Sequence, residues 1–169
     1  MAKRILHDAH AMHPLEHCFG RYRCDGCGCM GAGPRYRCDA CDFDLHVLCA
    51  SPPSTTAQFF FHGQHPLTFE AGVDRPRCCD ICETPIRGMR YACRPCSFDV
   101  HPVCSQLSAS TVSPLHPEHV VTLTVGAPAK CAWCGSNCAF RYCCGACDFN
   151  LHPKCLLTGQ APLNIPKIY

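Results

Sequence analysis

Apolar residues lie along the 169-residue chain in short groups broken by Cys, His, Pro and Gly. None is long enough to span a membrane or to serve as the apolar stretch of a secretory signal. Instead the groups recur. A nine-residue pattern, CDFDLHVLC at 41–49, returns as CSFDVHPVC at 96–104 and CDFNLHPKC at 147–155. In each copy one aromatic precedes the Cys pair and one follows it: Tyr36 with Phe43, Tyr91 with Phe98, Tyr142 with Phe149. These pairs are expected to form a miniature apolar core. The short C-x2-C segments suit knuckles at strand ends. Asp44, Asp99 and Asn150 are placed to N-cap a short helix carrying the closing H-x2-C. Pro102 and Pro153 suit its first turn, where backbone N–H groups lack intrahelical partners.

Aligning the three patterns extends the repeat upstream. CDGC (24–27), CDIC (79–82) and CAWC (131–134) form one column; YRCDAC (36–41), YACRPC (91–96) and YCCGAC (142–147) form a second. Ahead of them stand HAMHPL (10–15), HGQHPL (62–67) and HPEHVV (116–121). Each unit reads H-x2-H, C-x2-C, Y-x-C-x2-C, H-x2-C. The polar stretches 51–58 and 105–114 read as linkers. The expected domains are 7–52, 59–107 and 113–158, followed by a tail at 159–169 without Cys or His. With linkers between them, the units are expected to fold independently.

Composition turns this repeat into chemistry. The chain holds 20 Cys and 11 His. That much Cys means disulfides or metal, and without a secretory signal the expected setting is intracellular, cytoplasm or nucleus, which favours metal. Units of about 50 residues need such a staple. Each supplies five patterned Cys and three patterned His. Eight thiolate and imidazole donors make two closed tetrahedral zinc sites, and three units hold six ions. The first unit offers a choice, because HDAHAMH contains both His7–His10 and His10–His13; alignment with the HPL of the second unit selects His10 and His13.

Closed sites leave no position for a catalytic water. No paired carboxylates, phosphate-binding glycine loop or serine nucleophile motif stands out either, so an enzyme is not expected. The formal charge of +2 falls to about −1 once coordinated thiolates and zinc are included, which gives no general pull toward nucleic acid. Arg and Tyr do interleave in RYRC at 21–24 and 35–38. Such a patch suits nucleic acid; Arg stems shielding a small core are the simpler expectation. Five cysteines lie outside the pattern: Cys18, Cys29, Cys78, Cys138 and Cys143. They are expected to be small, partly buried apolar side chains rather than redox thiols.

The pattern resembles the divergent C1 (DC1) domain, a plant Cys/His-rich relative of the phorbol-ester-binding finger of protein kinase C, across nearly the whole chain. The resemblance implies a small zinc-stabilised α+β fold: a short twisted antiparallel sheet, a short C-terminal helix and two interleaved zinc sites per finger. It pairs the first C-x2-C with the H-x2-C: Cys24, Cys27, His46 and Cys49; Cys79, Cys82, His101 and Cys104; Cys131, Cys134, His152 and Cys155. It pairs the leading histidines with the second C-x2-C: His10, His13, Cys38 and Cys41; His62, His65, Cys93 and Cys96; His116, His119, Cys144 and Cys147. The lipid-binding relatives close the second site with a later Cys, which is missing here. The third unit has no successor to borrow from, so the extra His of H-x2-H is expected to complete the site.

The resemblance further implies a protein-binding adaptor in stress, hormone or defence signalling. Diacylglycerol binding is not expected, since the loops 28–37, 83–92 and 135–143 lack the QG pair and expose little apolar surface. Nor does the ligand order follow a RING-type ubiquitin ligase, and no isolated C-x2-C remains for a disulfide reductase. The expected partners are other proteins; the alternative is a module binding a diacylglycerol-type lipid or nucleic acid, each with weaker support in the sequence.

Overall fold

A computed structural model of the chain describes residues 3–53, 55, 56 and 59–159. In the first repeat, β1 (Arg4–His7), β2 (His10–Arg23), β3 (Met30–Cys38) and β4 (Phe43–His46) form an antiparallel sheet in sequence order. The third repeat is built the same way from β11 (Ser110–Ser113), β12 (His116–Lys130), β13 (Asn137–Cys144) and β14 (Asn150–Leu151). In the second, β5 (Thr55–Thr56), β6 (Leu67–Glu70), β9 (Arg90–Cys93) and β10 (Phe98–Val100) pair in the order β10-β9-β6-β5. There the long hairpin is interrupted, and β7 (Arg77–Cys78) and β8 (Pro85–Ile86) form a separate ribbon. The intervening stretch 71–76 carries Gly72 and Pro76, and a proline cannot donate to a strand ladder.

One cross-strand pair recurs at the centre of every repeat: Tyr36 opposite Leu45, Tyr91 opposite Val100, Tyr142 opposite Leu151. Leu15, Leu67 and Val121, two residues after the second His of each H-x2-H, join them, and all nine side chains are buried. The tyrosines therefore belong to the core, as expected. The phenylalanines sit at its edge: Phe43, Phe98 and Phe149 are half-buried and lie flat on histidine rings, and Phe43 also packs against the core of the first repeat. Among the unpatterned cysteines, Cys138 is buried, Cys18, Cys29 and Cys143 are half-buried, and Cys78 is exposed.

The expected helix after each H-x2-C pattern begins is reduced to one turn, α1 (Val47–Ala50), in the first repeat and to a 3-10 turn (Cys104–Gln106) in the second; the third has α2 (Pro153–Gly159). In the second repeat the Ser105 hydroxyl donates to the Pro102 carbonyl at 2.8 Å, a local bond that competes with helical pairing. The expected caps are also corrected. His46 occupies the N-cap of α1 with no side-chain capping bond. Asp44 instead pairs with Arg35 (2.9 Å) and Arg37 (2.6 Å), and Asp99 with Arg77 (3.0 Å) and Arg90 (2.9 Å). Asn150 accepts from Arg141 Nε at 2.9 Å. Arg35, Arg90 and Arg141 each stand directly before a core tyrosine, so a guanidinium nine residues upstream outcompetes the helix terminus for this position.

The chain forms two compact units, one up to Gln106 and one from Leu107. The first two repeats therefore pack together, and the expected independence of each repeat does not hold for them. Met89 of the second repeat is buried in the core of the first with Leu15, Tyr22, Cys24 and Tyr36, and its N–H donates to the Gly26 carbonyl at 2.7 Å. A Cβ on Gly26 would stand 2.6 Å from Met89 Sδ, and one on Gly88 would stand 2.4 Å from the Gly26 oxygen. Of the expected linkers and tail, residues 54, 57, 58 and 160–169 lie outside the described residues.

Met89→Ala should destabilise the unit up to Gln106 by about 2–5 kcal/mol through the cavity it leaves. NMR-monitored denaturation should show both of the first two repeats unfolding at lower denaturant while resonances of the third stay put. Loss of stability in the second repeat alone would mean that Met89 does not join the two cores.

Candidate metal centres

Two kinds of Cys/His cluster are built in each repeat. The inner clusters gather Cys24, Cys27, His46 and Cys49 in the first repeat and Cys79, Cys82, His101 and Cys104 in the second, with one potential ligand atom from each residue and all four within 4.8 Å of one another. The third repeat follows: His152 Nδ1 lies 3.3 Å from Cys134 Sγ and 3.8 Å from Cys155 Sγ, and its backbone N–H reaches Cys131 Sγ at 3.4 Å. The outer clusters gather His10, His13, Cys38 and Cys41; His62, His65, Cys93 and Cys96; and His116, His119, Cys144 and Cys147. His7 stays out of them, its Nδ1 accepting from Ala9 N at 3.1 Å in the turn between β1 and β2. None of the five unpatterned cysteines belongs to a cluster named here.

The inner clusters owe their shape to two backbone devices. Each C-x2-C closes a tight turn in which the residue after the second Cys donates to the first Cys carbonyl: Gly28, Glu83 and Gly135, at 2.8, 2.8 and 2.9 Å. All three have positive φ (79°, 58° and 74°), which glycine adopts without steric cost and glutamate does not. The turn is then fastened to the strand that carries the H-x2-C. Asp25 N, Asp80 N and Ala132 N donate to the carbonyls of Asp44, Asp99 and Asn150, each at 2.8 Å. In the first two repeats the Asp25 and Asp80 carboxylates also accept from Asp44 N (2.7 Å) and Asp99 N (2.6 Å). These two aspartates were not singled out in the sequence, although C-D-x-C recurs there.

Histidine orientation follows a rule. In the inner clusters Nδ1 faces the sulfurs, at 3.4 Å from Cys27 and 3.4 Å from Cys82. Nε2 faces a backbone carbonyl, Pro85 O at 3.3 Å for His101 and Asn137 O at 3.2 Å for His152. Such a carbonyl fixes the tautomer that leaves Nδ1 free to ligate. In the outer clusters the second His also uses Nδ1: His13 to Cys41 at 3.2 Å, His65 to Cys96 at 3.2 Å, His119 to Cys147 at 3.4 Å. The first His presents Nε2. In His10 and His62 that nitrogen is buried with no hydrogen-bond partner, and in His116 it lies 3.2 Å from His119 Nδ1. The first His ring is stacked on the half-buried phenylalanine: His10 on Phe43 at 4.6 Å and 13°, His62 on Phe98 at 4.7 Å and 12°, His116 on Phe149 at 4.5 Å and 11°.

These distances suit zinc. Bonds of about 2.3 Å to sulfur and about 2.0 Å to nitrogen around a tetrahedral ion put neighbouring S and N atoms about 3.5 Å apart. The orphaned Nε2 atoms of His10 and His62 are the polar groups that a cation would satisfy. Proton sharing among the bare ligands points the same way. Hydrogen bonds from Cys24, Cys29 and Cys49 hold the Cys27 thiol far below its usual range, while Cys49 is pushed far above it by Cys24 and Cys27. Burial alone would lower His46, yet the Cys24 and Cys27 sulfurs raise it to about 9. His101 rises to about 10 against burial through Cys79 and Cys82. Clustered sulfurs thus bind whatever positive charge is at hand, and a divalent ion replaces those protons.

A family model for the C1 domain matches residues 7–50, 60–105 and 114–156. The chain belongs to the C1 domain family. Its three C1 repeats are zinc-binding modules, of a family of binding modules rather than enzymes. No curated protein and no solved structure matches the chain. Among the described residues no helix is long and apolar enough to cross a membrane.

The stacked phenylalanines, expected in the core, also cover the first His of each outer cluster, and Phe43 keeps its contact with the core. Phe98→Leu should weaken zinc at the outer cluster of the second C1 repeat by up to about tenfold, the worth of one aromatic pair, and leave the inner cluster's affinity unchanged. Chelator competition on the two classes of site measures this. Equal weakening at both would show that Phe98 acts through general stability.

Proposed function

We propose that this chain is a non-enzymatic, zinc-built adaptor that binds other proteins, with six zinc ions held by the six clusters. The ligands are Cys24, Cys27, His46 and Cys49 with His10, His13, Cys38 and Cys41 in the first repeat. In the second they are Cys79, Cys82, His101 and Cys104 with His62, His65, Cys93 and Cys96. In the third they are Cys131, Cys134, His152 and Cys155 with His116, His119, Cys144 and Cys147. One observation carries the reading: every cluster offers four protein donors, which leaves an ion no open position for water or substrate. The zinc is then structural, and what the chain offers to other molecules is its surface.

The arginines favour a protein partner over nucleic acid. Arg35 and Arg37 are held by aspartates, Arg23 donates to the Gly28 carbonyl at 3.2 Å, and Arg35 lies 5.4 Å over the Tyr22 ring. Arg35 and Arg37 are thus neutralised by carboxylates of their own repeat, and only Arg21 and Arg23 of the RYRC segments stay exposed. The DC1 resemblance suggests stress, hormone or defence signalling as the setting.

Elemental analysis of the purified chain should find close to six zinc ions per molecule. A content near half of that would remove the outer H-x2-H sites. Affinity capture with the zinc-loaded chain should retain protein partners that are lost after chelation. Reconstituted ubiquitylation should stay blank, and diacylglycerol vesicles should recruit no more chain than a control. Saturable recruitment to those vesicles would replace the adaptor with a lipid reader.

A further inference from the structure

The three repeats share one architecture but differ at the corner behind the outer cluster. In the first, Arg35 and Arg37 face Asp39, Asp42 and Asp44, so carboxylates outnumber guanidinium groups and every arginine is saturated. In the second, the residue after the first Cys of the outer pair is Arg94 where the first repeat has Asp39. The residue after the second Cys is Ser97 where the first has Asp42. Asp42 and Ser97 hold the same left-handed turn, at φ 50° and 52°, so the exchange changes charge and leaves the backbone alone. The third repeat has Gly145 and Asp148 there.

The result is a cavity of about 120 Å³ lined by Arg75, Arg77, Arg90, Arg94, Ser97 and Asp99. Asp99 is engaged by Arg77 and Arg90; Glu70 bridges Arg90 and Arg94; Asp74 lies 4.0 Å from Arg90. Four guanidinium groups thus meet these three carboxylates, and Asp80 also acts on Arg77 electrostatically. Arg75 makes no salt bridge within 4.0 Å among the described residues, although its charge acts on Asp74, and the buried Nε–H of Arg77 has no hydrogen-bond acceptor. A second cavity of about 350 Å³ adjoins it, sharing Ala92, Cys93 and Arg94 and lined also by Pro66 and Pro95.

We infer that the middle repeat binds a phosphorylated peptide, the phosphoryl group of a phosphoserine or phosphothreonine entering the arginine cavity and a neighbouring apolar side chain the adjoining groove. A phosphoryl dianion supplies acceptors for the free donors of Arg75 and Arg77, and arginine's planar fork suits its oxygens. The joined groove, floored by Ala92 and two prolines, suits a peptide chain. A membrane is the poorer fit, because Phe60 is the one large apolar side chain strongly exposed in the described part of the middle repeat. The occupant rests on the adaptor reading above; the anion site itself does not.

The test uses the zinc-loaded full chain. A degenerate peptide pool centred on phosphoserine should be retained on it, its unphosphorylated counterpart should not, and inorganic phosphate should compete. The double variant Arg75→Gln/Arg94→Gln changes two exposed arginines and should keep its zinc while losing about tenfold in affinity, the scale of a lost charge-assisted contact. Equal retention of the two pools, or unchanged affinity in the double variant, overturns the proposal. So does recruitment to phosphatidylcholine vesicles carrying phosphatidic acid without retention of peptide, which would assign the cavity to a lipid phosphate. If captured protein partners survive both phosphatase treatment and the double variant, this site fails while the adaptor stands. If nothing is captured and free phosphoserine still binds, the peptide assignment falls with the adaptor reading.

Discussion

A repeat of fewer than about 50 residues cannot offset its chain entropy by burial alone, and here the apolar layer common to all three repeats is one tyrosine and two aliphatic side chains. Convergence of four sulfur and nitrogen donors is the constraint from which the rest follows. Ligands must come from both ends of the repeat, so the strands between them pair in one register. Tyr36, Tyr91 and Tyr142 each face the same aliphatic position because the flanking ligands fix the turn between them. The C-x2-C turn needs a left-handed residue at its close, and the sequence supplies glycine twice and tolerates Glu83 once. Structural zinc contributes on the order of 10–16 kcal/mol per site in peptide systems, far more than such a strain costs.

Around that constraint, polar groups do work that a larger protein gives to its core. Asp25 and Asp80 fasten the knuckle to the strand bearing the H-x2-C. The buried Asp44 and Asp99 each take two guanidinium groups, which stabilises carboxylates that would otherwise be stranded under the sheet. In the third repeat the same place holds neutral Asn150 and a single Arg141. The swap removes one charge from each side and preserves the contact.

Spacing made the Cys/His clusters legible, because a Cys or His pair two residues apart is a local fact that survives any tertiary context. The threefold repeat separated His10 and His13 from His7, and the structure gathers those two with Cys38 and Cys41 while His7 bonds within its turn. What local pattern could not show was competition. Asp44 reads as a helix cap until an arginine nine residues upstream, across a strand pair, claims its carboxylate. Phe43 reads as core alone, yet the ring of His10, thirty-odd residues away in sequence, also lies flat upon it. The helix of the second repeat reads like the others until Ser105 diverts a carbonyl.

Least legible was the joining of the first two repeats, since the linker between them looks like any polar linker. Its signal was present but uninterpretable alone: Gly26, inside CDGC, is the one knuckle position of the three with no side chain, against Ile81 and Trp133. The missing side chain is space for Met89 of the next repeat. Ile81 is fully buried while Trp133 is 55% exposed, so the same knuckle position is a socket in the first repeat, core in the second and surface in the third. Repeats with one metal-ligand grammar thereby acquire different surfaces through the residues that the ligands leave free, and it is among those residues that binding specificity has room to arise.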